Sequence, residues 1–395
     1  MNPVESMEAN PTSPPPASAG GRTTARIART SAGDAHTREL IARLVDVSQR
    51  GLPRMFDRDE RIFVHCLRRD AAGTIAPEGQ SLRYSAIVLL GARWLDDDQQ
   101  RALFAGETAR EFASRALAHA RDTDDLGDAS LCAWAAFELG HPDAARALER
   151  ALALESKQAS PFTVELAWLV SALAAAPGSS REGTARRIAH RLLEGFSAHA
   201  RVFPHRVGEP RPGFRAHVAC FADQVYPIQA LSRLHRRYGA DRGLDAASLC
   251  AAQICEVQGE GGQWWWHYDA RTGAVVEGYP VYSVHQDAMA PMCLLDLEEA
   301  GGPSFGDAIR RGLQWMAEAP EIGRSLIDDA ESVIWRKVAR IGPNKSMRAV
   351  RAAASRVRED LRLRFLDPAF PPRAVDWESR PYHPGWVLHT WLNES

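Results

Sequence analysis

Apolar residues recur at three- and four-residue spacing along most of the chain from Thr37 onward, which is the period of an α-helix. Alternating apolar and polar residues, the pattern of a half-exposed strand, are almost absent. Ala, Leu, Arg and Glu dominate these segments, and all four are good helix formers. The pattern therefore predicts an all-α protein.

The predicted helices are of two kinds, which alternate along the chain. Six are apolar on nearly all sides, as expected of helices buried within a domain: 82–95, 128–140, 161–176, 222–235, 285–301 and 382–392. Five have one charged face rich in Arg, as expected of helices that cover a core: 108–120, 141–155, 184–196, 244–258 and 305–319. A sixth cover is expected either at 38–50 or within the long stretch 325–365.

Six buried helices alternating with covering helices predict an (α/α)6 toroid of helical hairpins, in which the inner helices form a closed ring. Short loops between consecutive helices make neighbours antiparallel, as hairpins require. In a closed ring the last inner helix, 382–392, packs beside the first, 82–95. The competing architecture is an open α-solenoid, in which these two helices lie far apart.

The first 36 residues, which include the string NPTSPPPASAGG, are rich in Pro, Ser, Ala and Gly. They lack the apolar region of a secretory signal. A segment of this composition buries too little apolar surface to offset the entropy lost on ordering. The sequence thus predicts a disordered tail at 1–36 and a single toroid domain at 37–395.

Composition limits the classes of partner. With 48 Lys and Arg against 50 Asp and Glu, the formal net charge of −2 gives no overall basic surface for nucleic acid. No window approaches about 18 uninterrupted apolar residues, so no transmembrane segment is expected. The six cysteines form no C-x-x-C pair, which favours reduced thiols and a cytoplasmic location.

The stretch 335–365 is strongly basic within this nearly neutral chain. Such a run usually forms a solvated helical face. The alternative is a surface that docks on an anionic partner, such as an acidic polymer or a membrane surface.

Two of the inner-helix starts share a pattern, because Asp223-x-x-x-Pro227 matches Asp287-x-x-x-Pro291. Proline is tolerated in the first turn of a helix, where the N–H groups have no intrahelical partner. Both aspartates are therefore expected at or just before an inner-helix N-terminus. There each can cap its helix, line the mouth of the ring, or do both.

The segment 259–283 separates an outer helix from the next inner one, and long loops in compact domains are usually functional. It contains three consecutive tryptophans at 264–266. If these are extended, Trp264 and Trp266 face one way and Trp265 the other. Aromatic faces suit sugar rings or isoprenoid chains. A tryptophan plug with hydrogen-bonded polar partners is the structural alternative.

Candidate proton-transfer residues are the titratable groups of this insertion and of the helix starts: Asp287, Glu277, Asp223 and His285. Candidate substrate-binding residues are aromatic and polar side chains expected nearby: Trp264, Trp266, His267, Tyr279, Tyr282, Gln286, Arg83 and Tyr226. Other inner-helix starts bring further side chains to the same end of the ring: Tyr84, Asp128, Glu165, Gln224, Arg380, Tyr382 and His383. A mouth lined in this way suits a hydroxylated or acidic ligand better than a hydrocarbon.

Cofactors and metals are not expected from the motifs. No phosphate loop or dinucleotide fingerprint is present. The spacing of His267, Asp269, His285 and Asp287 is not a recognised metal-ligand pattern.

One motif resembles a known family, because Gln258-x-x-x-Gly262-x-Trp264 is similar to the QW motif of the squalene cyclase and prenyltransferase toroids. A single copy is present, so the resemblance supports a toroid rather than a terpenoid substrate. The string from Asp122 to Asp125 is similar to the D-x-D-D motif of class II terpene cyclases, whose central Asp protonates an alkene. A charged loop at a helix start is the alternative.

The alternating hairpins as a whole resemble the six-hairpin glycosidase class, which includes uronic-acid hydrolases, lyases and epimerases. The likeness is architectural and has no signature motif. It implies a carbohydrate-active enzyme with general acid–base carboxylates in a central cavity lined by aromatic residues. The alternatives are a terpenoid cyclase that uses Asp124 and a non-catalytic toroid that binds a polymer or a protein.

Overall fold

The computed structural model describes residues 22–208, 213–342, 344–359, 361 and 363–394. Six buried helices lie inside a ring: α3 (Leu82–Ala92), α6 (Leu126–Glu138), α8 (Thr163–Ala175), α10 (Ala222–Tyr238), α12 (Ala290–Glu299) and α15 (Tyr382–Trp391). Six amphipathic helices surround them: α2 (Ala35–Gly51), α5 (Ala109–Arg121), α7 (Ala144–Glu155), α9 (Glu182–Glu194), α11 (Asp241–Glu256) and α13 (Gly306–Glu318). Three more helices are α1 (Ala25–Thr30), α4 (Asp97–Leu103) and α14 (Asn344–Val357).

The inner helices pack side by side in chain order, and α15 returns to pack on α3. The predicted all-α (α/α)6 toroid is therefore confirmed, and the open solenoid is excluded. The sixth outer helix is α2, as the 38–50 alternative proposed. The interior of the ring is filled rather than open, since the indole rings of Trp134 and Trp386 lie 5.9 Å apart at its centre and both are fully buried.

The contact between α3 and α15 depends on two glycines. A Cβ added at Gly91 would lie 2.3 Å from the carbonyl oxygen of Gly385, and one added at Gly385 would lie 3.1 Å from the backbone of Ile87. These separations are shorter than ordinary carbon contacts, so the two backbones approach this closely only because neither glycine has a side chain. The closure of the ring in this geometry therefore requires glycine at these two positions.

Twelve short strands, which the sequence pattern did not predict, lie in four small antiparallel sheets of the described chain. In the first, β2 (Ile62–Arg69) pairs with three strands: β1 (Phe56–Asp57), β3 (Ile75–Gln80) and β12 (Glu378–Ser379). The second has the order β4 (Val218–Cys220), β5 (His267–Asp269) and β6 (Val275–Glu277). The third has the order β11 (Ala374–Asp376), β10 (Lys337–Ala339) and β7 (Val281–Tyr282). The last pairs β8 (Ile327–Asp328) with β9 (Val333–Ile334).

The strands mark one end of the ring, because β3, β4, β7 and β12 each lead directly into an inner helix. Most contain only two or three residues, which is too short for an alternating pattern to appear in the sequence. They fix the direction in which the chain enters the inner helices. The loops at this end therefore have a defined shape.

The basic stretch 335–365 is not one solvated helix as predicted. Its first part forms β10, and two of its arginines, Arg340 and Arg351, are buried. Both pair with Glu277 of the 259–283 insertion, at 3.1 Å and 2.9 Å. Part of the positive charge of this stretch is thus used inside the protein to hold α14 against β6.

The folded domain begins before the boundary predicted at residue 37. Residues 1–21 lie outside the described residues, but α1 packs on the ring with Arg26 only 1% exposed. The Arg26 guanidinium binds Asp296, which is equally buried, and donates to Glu299 from Nε over 2.8 Å. These carboxylates belong to the C-terminal half of α12, so Arg26 seals the end of the ring opposite the strands.

Two whole-chain expectations can also be compared with the structure. All six cysteines are free, as predicted. Among the described residues, no helix combines the length and the apolar character that crossing a membrane requires.

Replacing Arg26 with Met should lower the free energy of unfolding by about 3–5 kcal/mol, because the Asp296 carboxylate would remain buried without its partner. Burial alone would raise the pKa of Asp296, but Arg26 and Arg233 hold it below its usual value. Urea denaturation measures the change. The control is Arg22→Gln, since Arg22 and its partner Glu394 are exposed. Equal stability of the Arg26 variant and wild type would contradict this role.

Replacing Gly91 with Ala should destabilise the protein by about 1–3 kcal/mol, because α3 and α15 must move apart to admit the new methyl group. Gly183 provides the matched control, since it lies in α9 with open space around its Cβ position. Gly183→Ala should be neutral or slightly stabilising, as expected of Ala in a helix. If both variants have the same denaturation midpoint, the glycine contact does not limit ring closure.

Candidate functional site

A cleft of about 420 Å³ opens at the end of the ring where the inner helices begin. Every inner helix or the residues just before it contribute to the wall, which includes Arg83, Tyr84, Asp125, Glu165, Trp168, Tyr226, His285, Met289 and Tyr382. Loops add His205, Trp266 and Arg336, and strand β7 adds Tyr282. Ring closure therefore brings to one place residues that are spread over most of the sequence.

Aromatic rings make up much of the cleft wall. Trp266 and Tyr282 meet edge to face with their centroids 5.1 Å apart, and Trp168 and Tyr226 do so at 5.0 Å. On another side Tyr84 lies 4.8 Å from Tyr382. Flat apolar faces with polar groups at their edges are typical of sites that bind sugar rings.

His205 is the histidine that projects most openly into the cleft. Its side chain is 50% exposed, whereas its partner Asp223 is fully buried. Nδ1 of His205 lies 2.9 Å from Oδ2 of Asp223, and the same oxygen accepts the backbone N–H of Cys220 over 2.7 Å. The hydrogen bond to Asp223 raises the pKa of His205, against the lowering effect of burial. The pair therefore orients an imidazole that can take up or release a proton.

Asp223 lies in the first turn of α10, where the sequence predicted it, but it does not act as the N-cap. The N-cap position is Phe221, and the Asp223 carboxylate instead binds the preceding strand and His205. Its Oδ1 atom is buried and has no hydrogen-bond partner among the described residues. The Asp223 side chain thus supports the cleft from beneath.

Glu165, at the start of α8, is the buried carboxyl group on the cleft wall. It is 8% exposed and accepts the backbone N–H of Phe162 over 3.3 Å. Burial raises its pKa, and the nearby Asp125 adds to the increase. A carboxyl group with a raised pKa can act as a general acid, because it keeps its proton closer to neutral pH.

His285 lies in a π-helical turn, residues His285–Met289, directly before α12. Burial lowers the pKa of His285 to about 3, so its imidazole is neutral. Nδ1 is buried. The ring therefore contributes a neutral surface to the cleft wall rather than a charge. Single π-turns within α-helices are frequent at functional sites.

Asp287 belongs to the same turn but is fully buried, and it does not line the cleft. Both of its carboxylate oxygens bind Nε2 of His383, at 2.8 and 2.9 Å. Burial raises the pKa of Asp287, and His383 opposes the increase. Because His383 belongs to α15, this pair joins the fifth inner helix to the sixth beneath His285. The geometry favours a supporting role for Asp287 over direct proton transfer.

Glu277 is not part of the cleft wall. Oε1 binds Arg340 at 3.1 Å and accepts the N–H of Tyr279 over 3.0 Å, while Oε2 lies 2.9 Å from Nε of Arg351. Two buried guanidinium partners hold this carboxylate in place. Glu277 therefore has the tethering role described above.

The three consecutive tryptophans have three different environments. Trp264 is fully buried and packs 5.8 Å from Phe221, whereas Trp266 reaches the cleft. Trp265 donates its indole N–H to the carbonyl of Val257 over 2.8 Å and packs on Tyr279. The plug and the aromatic platform are therefore both present, in adjacent residues.

The QW-like motif fastens two outer helices together. Gln258 donates to the carbonyl of Ala308 in α13 over 3.0 Å and to that of Gly262 over 2.9 Å. Gly262 lies so close to α13 that a Cβ there would be 2.1 Å from the carbonyl oxygen of Arg311. The QW-like motif therefore has an architectural role in this structure.

Three other candidate ligand-binding residues lie behind the cleft wall. Gln286 is buried and bonds the backbone of Trp264, and the hydroxyl of Tyr279 donates to Glu321 over 2.8 Å. His267 is buried beneath Trp266 with the ring centroids 4.1 Å apart. These three residues support the site without lining the cleft.

The arginines of the cleft wall have carboxylate partners. Arg83 binds Asp125 at 2.6 Å and Asp128 at 2.9 Å, and Arg336 binds Glu378 at 3.0 Å. The D-x-D-D string is part of this arrangement, because Asp125 is the N-cap of α6. Its central residue, Asp124, is 94% exposed and pairs with Arg150 outside the cleft. That position does not suit the buried acid of a terpenoid cyclase.

A metal ion has one candidate site among the described residues, formed by His205, Cys220 and Asp223, whose ligand atoms lie within 4.8 Å of one another. Burial and Asp223 raise the pKa of the Cys220 thiol well above its usual range. In the structure these three residues form a hydrogen-bonded cluster around Asp223.

Sequence reasoning did not identify His205 or Arg336. Both lie in connecting segments without helical periodicity, His205 between α9 and α10 and Arg336 between β9 and β10. In contrast, Arg83, Tyr84, Glu165, Tyr226 and Tyr382 reach the mouth of the ring as predicted. Their position follows from the starts of the inner helices alone.

No protein-family model matches the chain, and no curated protein matches its sequence. Solved structures resemble it over most of its length. An unsaturated glucuronyl hydrolase specific for heparin has a TM-score of 0.58 at 12% identity, covering 89% of this chain and 95% of that one. A sugar epimerase from a ruminal bacterium has a TM-score of 0.59 at 10% identity, covering 90% and 97%.

A third similar structure is the unsaturated glucuronyl hydrolase of Bacillus sp. GL1, which is responsible for degradation of glycosaminoglycan. Its TM-score is 0.53 at 15% identity, with 90% of this chain and 96% of that one covered. At such identities the likeness establishes the fold alone, the (α/α)6 toroid of six-hairpin glycosidases. The link to terpenoid cyclases is unconfirmed.

Replacing Asp223 with Asn should lower the pKa of His205, because the negative charge that favours the imidazolium is removed. An NMR titration of the His205 ring protons measures the shift directly. Asp124→Asn is the control, because Asp124 lies outside the cleft. An unchanged His205 titration in the Asp223 variant would show that the two groups are not coupled.

Proposed function

We propose that the protein is an enzyme that acts on a carbohydrate by general acid–base catalysis in the cleft. The observation that carries the proposal is the pair of His205 and Asp223 beside an aromatic wall. A half-exposed imidazole held by a fully buried carboxylate has a defined orientation and a raised pKa. These are the properties that proton transfer to or from a bound substrate needs.

In this proposal His205 exchanges the proton through Nε2, because Nδ1 is occupied by Asp223. Asp223 is a positioning residue that fixes the ring and stabilises its charged form. Asp223 was a proton-transfer candidate in the sequence analysis. In this proposal it acts through His205 and does not touch the substrate.

Glu165 is the second proton-transfer group of the proposal. Its raised pKa suits a general acid, and it lines the same cleft as His205. An acid and a base in one cleft are the groups required by glycosidic hydrolysis, by elimination and by epimerisation. Each such group typically contributes about 10²–10⁴-fold to the rate.

The sugar would be held by the aromatic and polar wall. Trp266, Tyr282 and Tyr226 offer ring faces for its apolar side, and Arg83 offers N–H groups for its hydroxyls. His285 adds a neutral ring to the wall. Together these residues would hold a sugar through ring stacking and hydrogen bonds.

Hydrolase and epimerase reactions differ in the fate of the proton. In hydrolysis the acid protonates the glycosidic oxygen, and the C–O bond breaks as water adds. In epimerisation the base removes a proton from carbon, and a proton returns to the opposite face. With saturated substrates, reaction in D₂O separates the two, because only epimerisation replaces a carbon-bound hydrogen with deuterium.

The proposal is tested by NMR in D₂O on a panel of unsaturated uronyl disaccharides, uronic acids and reducing disaccharides. With the substrate that turns over, His205→Gln and Glu165→Gln should each lower kcat by about 10²–10⁴-fold at unchanged thermal stability. The matched control is His190→Gln, because His190 is an exposed histidine of α9. Full activity of the His205 variant would overturn the proposal. Binding without turnover by wild type would indicate a non-catalytic toroid.

A further inference from the structure

A second cavity of about 500 Å³ adjoins the cleft. His205 lines both cavities, so the proposed catalytic imidazole lies at their junction. The wall of the second cavity includes Arg215 and the ring of Phe214, which is 53% exposed. An exposed phenylalanine beside a cavity provides a flat apolar surface of the kind found in the cleft itself.

Two arginines converge near this junction. The guanidinium of Arg348, from α14, lies 5.0 Å from the ring centroid of Trp266 on the cleft wall. Nη2 of Arg215 lies 3.4 Å from Nε2 of His267, the residue stacked beneath Trp266. Both arginines are half-buried, and they flank the same pair of stacked rings.

Neither Arg215 nor Arg348 has an acidic partner within 4 Å among the described residues. The arginines of the cleft wall differ, since Arg83 and Arg336 are paired with carboxylates. Burial and the proximity of Arg348 lower the pKa of Arg215. Burial and the charges of both arginines also hold His267 in its neutral form, with a pKa well below its usual value. Two like charges without a carboxylate between them leave room for an anion.

Arg348 is held in place by a fixed helix. Arg351, three residues further along α14, is buried against Glu277 at 2.9 Å, and Arg340 binds the same carboxylate at 3.1 Å. The Arg351 pair anchors α14 to β6, and the Arg340 pair ties the segment after β10 to the same strand. The chain therefore uses two arginines of the basic stretch for attachment and leaves Arg348 beside Trp266 of the cleft wall.

We propose that Arg215 and Arg348, beside Trp266, form an anion subsite that binds the carboxylate or sulfate group of a sugar residue beyond the one held in the cleft. This inference rests on the proposed function and names its substrate class, an acidic oligosaccharide. A guanidinium binds either oxyanion through paired N–H donors, so both groups share the required chemistry. Because His205 lies between the two cavities, the linkage between the two sugar units would lie beside the catalytic imidazole.

The test measures the affinity of three defined probes by calorimetry. They are the unsulfated unsaturated chondroitin disaccharide, its 6-sulfated form and the unsulfated tetrasaccharide, which has a second carboxylate. Wild type is compared with Arg215→Gln, Arg348→Gln and the double variant. Arg146→Gln is the matched control, since Arg146 is an exposed arginine of α7.

Each single variant should weaken binding of a probe with a second anion by about tenfold, the value of one charge-assisted hydrogen bond. Binding of the unsulfated disaccharide should stay within about twofold of wild type, because it lacks the second anion. Preference for the sulfated disaccharide identifies sulfate as the bound group, and preference for the tetrasaccharide identifies carboxylate. The salt dependence of binding should also decrease in the double variant.

Equal affinity of wild type and double variant for every probe would overturn the subsite and leave the proposed function standing. A wild-type protein that binds none of the probes would overturn the acidic oligosaccharide as substrate. In that case, turnover of a neutral sugar that depends on His205 would still support the proposed function. Loss of that dependence would remove both proposals.

Discussion

The close contact between α3 and α15 is the constraint on which the site depends. These helices lie near opposite ends of the chain, and Gly91 and Gly385 let their backbones touch. At the cleft end of the same contact, Tyr84 packs 4.8 Å from Tyr382 and accepts a hydrogen bond from Arg380 over 2.8 Å. All six inner-helix starts can surround one cleft only if this seam is closed. The arrangement of side chains in the cleft therefore depends on the close backbone contact between α3 and α15.

Much of the fold could be predicted because the apolar and charged residues within each helix indicate whether that helix is buried. The alternation of helices that are apolar all round with helices that have one charged face gave the toroid and the position of its seam. The strands had no such signal, since two or three residues cannot show a period. The sequence also did not predict that the folded domain begins before residue 37. Arg26 is held there by contacts with Asp296 and Glu299, which are more than 260 residues away in the sequence.

The site was less predictable than the fold, because a titratable residue does not reveal its partner. Glu277 and Asp287 looked like proton-transfer groups, but the first is held by Arg340 and the second by His383, which is 96 residues further along. The sequence around His205 does not reveal that Asp223 lies behind it. Residues at helix starts were located correctly because the fold alone determines where helix starts lie. Residues in loops require the tertiary structure.

The sealed end of the ring has a consequence for how a polymer can be used. Arg26 and its carboxylate partners close one face, and Trp134 and Trp386 fill the middle, so the cleft does not continue through the ring. In the function proposed above, a polymer would therefore not pass through the ring. Its reacting unit would enter and leave on the side where the inner helices begin.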